Sequence, residues 1–234
     1  MTFEKAIIFD AGIIINFAMN GLLEEFRGLK KIFNGKFLIT KEVKLEVVDK
    51  PLSIKRFMLE ALKVKELLDE KILEMPSDIG IDENQISKRT QEVKDFANNI
   101  FYAHGEAIQI IASGESSCIA LSEILNEKKI DNVIAVDERT IRVLFEKPEN
   151  LGSLLGKKLH TQIKVKTENF KHFKGFRFIR SAELIYVAYK KGIVKMKNHN
   201  TPVLDALLYA LKFNGCAISD EEISEIEKMD KSIR

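Results

Sequence analysis

Ala6-Ile7-Ile8-Phe9-Asp10 and Asn132-Val133-Ile134-Ala135-Val136-Asp137 are two runs of the same kind, far apart in the chain. Each is short, continuously apolar, and stops at an acid. A run of this length with no polar alternation fits a strand covered on both faces, as in a parallel sheet. Lys36 to Thr40 and Gly175 to Ile179 supply two further strands of the same type. Helical patterns lie between them. Ser113 is a candidate N-cap for a helix carrying Ile119, Ala120, Ile124 and Leu125, and Arg139 to Phe145 is another helix. Thr201-Pro202 opens a helix on Val203, Leu204, Leu207, Leu208 and Leu211 that Gly215 closes, and Ser219 with Glu222 forms a capping box for a last polar helix. Strands alternating with helices predict an α/β fold, a three-layer α/β/α sandwich around a mainly parallel sheet.

The rhythm breaks twice. Between residues 52 and 104 two helical patterns, Ser53 to Lys71 and Asp82 to Tyr102, flank Pro76, with a short strand at Ile72 to Met75. This segment is expected to be a helical insertion. From 147 to 174 the chain is polar, basic and poorly periodic, which predicts a long surface excursion opening a C-terminal extension over 147–234. At 234 residues the whole chain, 1–234, is expected to form a single domain with those additions.

Composition excludes several classes. Only 12 Gly and 4 Pro rule out a disordered or collagen-like chain. A net charge of +2 is not that of a protein that coats nucleic acid by bulk charge, so any contact with nucleic acid must be through a local patch. Cys118 and Cys216 are too few and too isolated for a disulfide framework or a zinc site, which points to a reducing, cytoplasmic setting. The apolar stretch Ala6–Met19 is too short for a membrane span and is broken by Asp10 and Asn16, so no membrane association is expected.

The acids are the chemically informative residues. In an open parallel sheet, ligands bind beyond the carboxyl ends of the strands, where Asp10 and Asp137 fall. Glu42 and Glu46 lie one helical turn apart after the second strand, and Glu115 lies in the first turn of its helix. Carboxylates gathered there would repel one another unless a divalent cation neutralised them, and hard oxygen donors suit Mg²⁺ or Mn²⁺. A second account fits each residue alone: a turn or cap aspartate, a glutamate favoured by the helix dipole, a solvated helix face. The two accounts differ at Asp137. Within a metal cluster, Asp137→Asn removes a like charge and stabilises the metal-free protein; a salt-bridged or capping Asp137 predicts a loss of stability.

Four segments resemble the motifs of the PIN-domain nucleases, in the same order. They are Ile7-Ile8-Phe9-Asp10-Ala11-Gly12, Val43-Lys44-Leu45-Glu46, Gly114-Glu115-Ser116-Ser117-Cys118, and Val133-Ile134-Ala135-Val136-Asp137-Glu138-Arg139-Thr140-Ile141-Arg142. The third and fourth are similar to a subgroup with a Gly-Glu motif. The resemblance selects Glu46 over Glu42. It implies a Mg²⁺- or Mn²⁺-dependent endoribonuclease in which Asp10, Glu46, Glu115 and Asp137 hold the metal. Glu138 is then an outer ligand or a surface acid, while Arg139 and Arg142 contact phosphate or pair with surface acids. The chain departs from the pattern at Ser117, where the subgroup often carries a second acid, and at Ala135, where many members carry Thr. These departures sustain the alternative of a PIN-like scaffold that binds RNA or a protein partner without cutting.

Two other classes fail on the residues. Phosphatases that start from a similar strand need an acid two residues after the first Asp, and Gly12 stands there. Receiver domains need an acid pair at the same place. The resemblance further implies RNA as substrate, an antitoxin of a toxin–antitoxin pair or another protein as partner, and a homodimer. The insertion residues Phe57, Leu59, Leu62, Leu67, Phe96, Ile100 and Phe101 are the expected dimer surface. A basic stretch, Lys157 to Lys174 with Phe170 and Phe173 interleaved, is either a strand-binding surface or a solvated loop face.

Overall fold

The structure, a computed structural model, describes residues 3–167, 170, 173, 175–196 and 202–232. It is an α/β sandwich. A four-stranded parallel sheet has the order β2-β1-β5-β7, built from β1 (Lys5–Phe9), β2 (Lys36–Leu38), β5 (Asp131–Ala135) and β7 (Phe178–Ile179). β1 is central, with Ile7 opposite Phe37 on one side and Val133 on the other. Helices cover both faces, which is why the inner strands carry continuous apolar runs.

On one face Phe9 of β1 meets Phe26 and Phe37 with ring centroids 4.8 Å away in both cases. Phe26 belongs to α2 (Leu23–Ile32), which follows α1 (Ala11–Met19). Edge and tilted ring packing of this kind adds to the area buried. Elsewhere α6 (Ser113–Glu127) packs on β1 and β5 and carries α5 (Glu83–Ala97) against it. Enclosed by sheet and α5, α6 buries ten residues, from Gly114 to Leu125, nearly all round its axis.

The expected insertion contains α4 (Met58–Asp69) and α5, joined through a short 3₁₀ turn at Pro76–Ile79. The strand expected over 72–75 shrinks to a single parallel bridge between Glu74 and Leu38 at the sheet edge. The helix expected as far as Tyr102 stops at Ala97. Asn98 caps it and its amide oxygen then accepts the N–H groups of Ile110 and Ile111, at 2.6 and 3.0 Å. Residues Phe101–Ala103 (β3) and Glu106–Ala107 (β4) form a hairpin over His104-Gly105, both at positive φ.

The surface excursion expected from 147 to 174 is also corrected. It holds α8 (Pro148–Leu159), which buries Leu151 and Leu155 one turn apart, and β6 (Lys164–Val165), which pairs with β3 in a second small sheet. A Cβ at Gly152 would stand 2.9 Å from Val165, so glycine there lets β6 lie close on α8. Phe173 is buried against Phe96 and Phe145, so it is no surface ring for stacking bases. Lys171, His172 and Lys174 lie outside the described residues, as does the expected cap Thr201. The final helix α11 (Asp220–Ser232) opens with the capping box read from Ser219 and Glu222. Among the described residues no helix is long and apolar enough to cross a membrane.

Candidate functional site

Asp10 and Asp137 follow adjacent parallel strands at their carboxyl ends. The Asp10 N–H donates to the Ala135 carbonyl at 3.0 Å, which ties the two ends together. Asp10 is the N-cap of α1 and accepts the Gly12 N–H at 3.1 Å through Oδ2. It is buried, and burial is the main cause pushing its pKa from 3.8 to about 7, with the negative charges of Glu115 and Glu46 adding to the rise and the Gly12 and Ala11 amides opposing it.

Glu46 arrives on an unusual turn. α3 (Lys41–Lys44), capped by Thr40, runs straight into a π-helical turn over Leu45–Asp49, and the Lys50 N–H donates to the Leu45 carbonyl five residues back. Glu46 sits in that widened turn and reaches the start of α6. A Cβ at Gly114 would stand 3.1 Å from its Oε1, so the absence of a side chain at Gly114 makes room for the carboxylate. Burial raises the Glu46 pKa, Lys50 pulls it down and Glu42 raises it. Glu115 is raised too, first by burial, then by Glu138 and Glu46 against the pull of backbone amides.

Glu115 also has a structural task. α6 begins one residue earlier than expected, with Ala112 as N-cap and Ser113, the expected cap, as the first helical residue. Ala112 has no side-chain oxygen, so Glu115 makes the cap alone by accepting the Ala112 N–H at 2.9 Å through Oε2. Ser117 is fully buried and joins Thr40 at 2.6 Å while bonding the Gly114 carbonyl at 2.6 Å. It thereby locks the start of α3 to the start of α6, and with them Glu46 to Glu115.

Asp137 is arranged differently. It is buried, and its carboxylate accepts Asn16 Nδ2 at 3.0 Å, the Ser181 N–H at 2.9 Å and Ser181 Oγ at 2.8 Å. Asn16 lies in α1, and Ser181 opens α9 (Ser181–Lys190). The same Asn16 amide donates to the Leu211 carbonyl at 3.1 Å in α10 (Val203–Phe213). The Asp137 carboxylate thus knits three helices to the end of β5. These hydrogen bonds reverse the sign expected for Asp137→Asn within a carboxylate cluster.

Glu138 and Arg139 are exposed at the start of α7 (Arg139–Glu146). Arg142 is half-buried, donates from Nη2 to the Ala217 carbonyl at 3.1 Å, and has its pKa lowered by burial and by the nearby Arg180 charge. Arg180 itself pairs with Glu183 and Glu222. Arg142 therefore serves the packing of the C-terminal helices, and Arg139 is the one of the two that faces solvent.

The structure thus brings Asp10, Glu46 and Glu115 within electrostatic reach of one another, with Glu138 beside Glu115. Among the described residues, no three His, Cys, Asp or Glu side chains are gathered in a group that could hold a metal ion as they stand. Asn16, Ser181, Thr40 and Lys50 are the supporting residues that sequence reasoning missed. The one signal for Asn16 is that it breaks an apolar helix face. Compared with models of protein families, with curated proteins and with solved structures, the chain matches none of them.

Proposed function

We propose that this chain is a PIN-like, metal-dependent endoribonuclease that hydrolyses RNA phosphodiester bonds at Asp10, Glu46 and Glu115. The observation that carries the reading is the pKa of Asp10, raised to about 7 by burial beside two like charges. A buried acid held next to other acids is costly, and functional sites are where such costs are concentrated. The donor set is all carboxylate oxygen, which fits Mg²⁺ or Mn²⁺.

When bound, such an ion would supply an activated water and stabilise charge on the phosphoryl and leaving oxygens. The protein's own residues do the rest. Asp10 gives up its proton at neutral pH when a cation offsets its neighbours. Glu115 keeps one oxygen on the Ala112 amide and offers the other. Asp137 belongs to this reading as the residue that positions the β5 end, through Asn16 and Ser181. Glu138 and Arg139 stand at the rim, suited to an outer contact and to substrate phosphate. Single-stranded RNA incubated with Mn²⁺ should be cleaved, cleavage should stop with chelator, and Asp10→Asn should lose at least about a hundredfold in rate. Equal cutting by Asp10→Asn would overturn the proposal.

A second reading has a specific observation behind it: the acids as they stand form no metal-holding group, and Ser117 and Asp137 are committed to packing. On this account the chain is a scaffold that binds RNA or a protein such as an antitoxin, and RNA is retained in Mn²⁺ without being cut. Either way a cytoplasmic setting suits the two free, buried cysteines.

A homodimer is part of the first reading, on a smaller surface than the sequence suggests. Leu67, Ile100 and Phe101 are buried in the core, whereas Leu59 and Leu62 remain exposed on one face of α4. Light scattering at tens of micromolar is expected to give twice the chain mass, and Leu59→Lys to return the monomer; a monomeric parent would reject the dimer.

A further inference from the structure

A groove of about 550 Å³ opens directly beside Glu46, and Glu46 forms part of its wall. Its floor is apolar: Ile15 and Met19 of α1 on one side, Ile54, Phe57 and Val64 of the α4 approach on the other. Ile15, Met19, Ile54 and Phe57 are all more than a third exposed, so an accessible apolar surface lies next to Glu46. A volume of several hundred Å³ with apolar walls and a few polar groups is the size and character of a ligand site.

The rim carries the complementary clue. Lys50 lines the groove, and Lys55 and Arg56 flank Ile54 and Phe57 on the exposed segment that leads into α4. Among the described residues Lys50, Lys55 and Arg56 make no salt bridge, and the Lys50 charge acts on Glu46 of the candidate site. Arg56 lies over the Phe57 ring, 5.3 Å from its centroid. Three unpaired cations beside an accessible aromatic ring, with an apolar slot that runs up to a carboxylate site, match the needs of one ligand chemistry: an anionic backbone carrying flat, stackable bases. Glu60 also lines the groove, so its charge is not uniformly positive; the cations cluster at the Lys50–Arg56 rim. Leu59 and Leu62 lie about half a turn round α4 from Phe57, Ala61 and Val64, so a dimer formed through them would leave the groove open.

We infer that this groove is a nucleobase subsite that takes an unstacked base of single-stranded RNA, stacked on Phe57, next to the phosphate presented to Glu46. Lys50 holds the phosphate between the groove and the acids, and Lys55 and Arg56 lead the strand in. The inference rests on the nuclease reading for its substrate class and extends it by naming where a neighbouring base sits. It predicts that this surface selects single strands over duplex, since a paired base cannot enter the slot.

Binding of a labelled eight-nucleotide single-stranded RNA by fluorescence anisotropy, in chelator so that no cutting occurs, tests the subsite. Phe57→Ala should weaken binding about tenfold, as expected for one lost base stack, and Lys50→Ala should flatten its salt dependence. The same RNA with abasic sites in place of bases should bind the parent weakly and lose nothing further with Phe57→Ala. Phe57→Ala leaves an exposed position, and an unchanged far-UV spectrum and melting temperature check its fold. Parent and Phe57→Ala binding equally, or no binding by the parent, would overturn the subsite. A dimer by light scattering that Phe57→Ala dissociates would also overturn it, because the groove would then be covered by a second copy. The nuclease reading fails on a different result, cleavage unaffected by Asp10→Asn, and so the two are judged apart.

Discussion

Asp137→Asn is expected to lower the melting temperature in chelator by roughly 5–15 °C, a loss of about 2–4 kcal/mol in a chain of this size. The Asp137 carboxylate accepts from Asn16 Nδ2, the Ser181 N–H and Ser181 Oγ, and all of these groups are buried. An asparagine offers one oxygen where the site needs two acceptors, and its NH₂ would face donors. A buried donor left without an acceptor carries its full desolvation cost. The loss should be the same with and without Mn²⁺, since the damage is to the junction of β5 with α1 and α9. Thermal melts followed by circular dichroism decide it. A variant that melts at or above the parent in chelator would return Asp137 to the charged cluster.

The same substitution one strand away is expected to have the opposite sign. Asp10→Asn should stabilise the metal-free protein above pH 7. The folded-state pKa of Asp10 is raised from 3.8 to about 7, so between those values the folded protein binds more protons than the unfolded chain. Stability therefore falls as pH climbs through that window and levels off above about 7. At about 1.4 kcal/mol per pH unit the whole effect is on the order of 4 kcal/mol. Asparagine keeps the oxygen that caps α1 on the Gly12 N–H and carries no charge to desolvate. The variant and parent should thus melt together near pH 4 and separate steadily towards pH 8. Saturating Mn²⁺ should close much of the gap, since a ligand at 100 times its dissociation constant adds about 2.7 kcal/mol to the parent alone. Parallel pH profiles for the two proteins would show that burial and the neighbouring acids do not raise the Asp10 carboxyl.

Two conservative Asp→Asn changes at neighbouring strand ends therefore part company on what surrounds each oxygen. Asp10 is buried against backbone amides with other acids close by, whereas both Asp137 oxygens are taken by side-chain and backbone donors. Nothing in the two runs Ile8-Phe9-Asp10 and Ala135-Val136-Asp137 separates them. In one dimension both read as an acid ending an apolar strand, and the partners that decide their roles, Asn16, Ser181, Glu46 and Glu115, come from distant segments.

What the amino-acid sequence determined by itself was the parallel sheet and its helices. Buried on both faces, the core strands must be continuously apolar, and that signal is local. The Ser219–Glu222 cap was legible for the same reason, being a bond within one turn. The end of α5 and the β3–β4 hairpin were not. Ile100 and Phe101 are buried whether they continue a helix or start a strand, so their apolar character alone cannot choose between the two. The choice lies with the Asn98 side chain, which bonds residues a dozen positions on. Likewise α8 shows only a short stripe at Leu151 and Leu155, and the purpose of Gly152 between them appears once β6 is seen lying on it. The gathering of Asp10, Glu46 and Glu115, the diversion of Asp137, and the groove beside Glu46 belong to tertiary structure alone. Each depends on distances between residues far apart in the chain, and charge, burial and hydrogen bonding act through those distances.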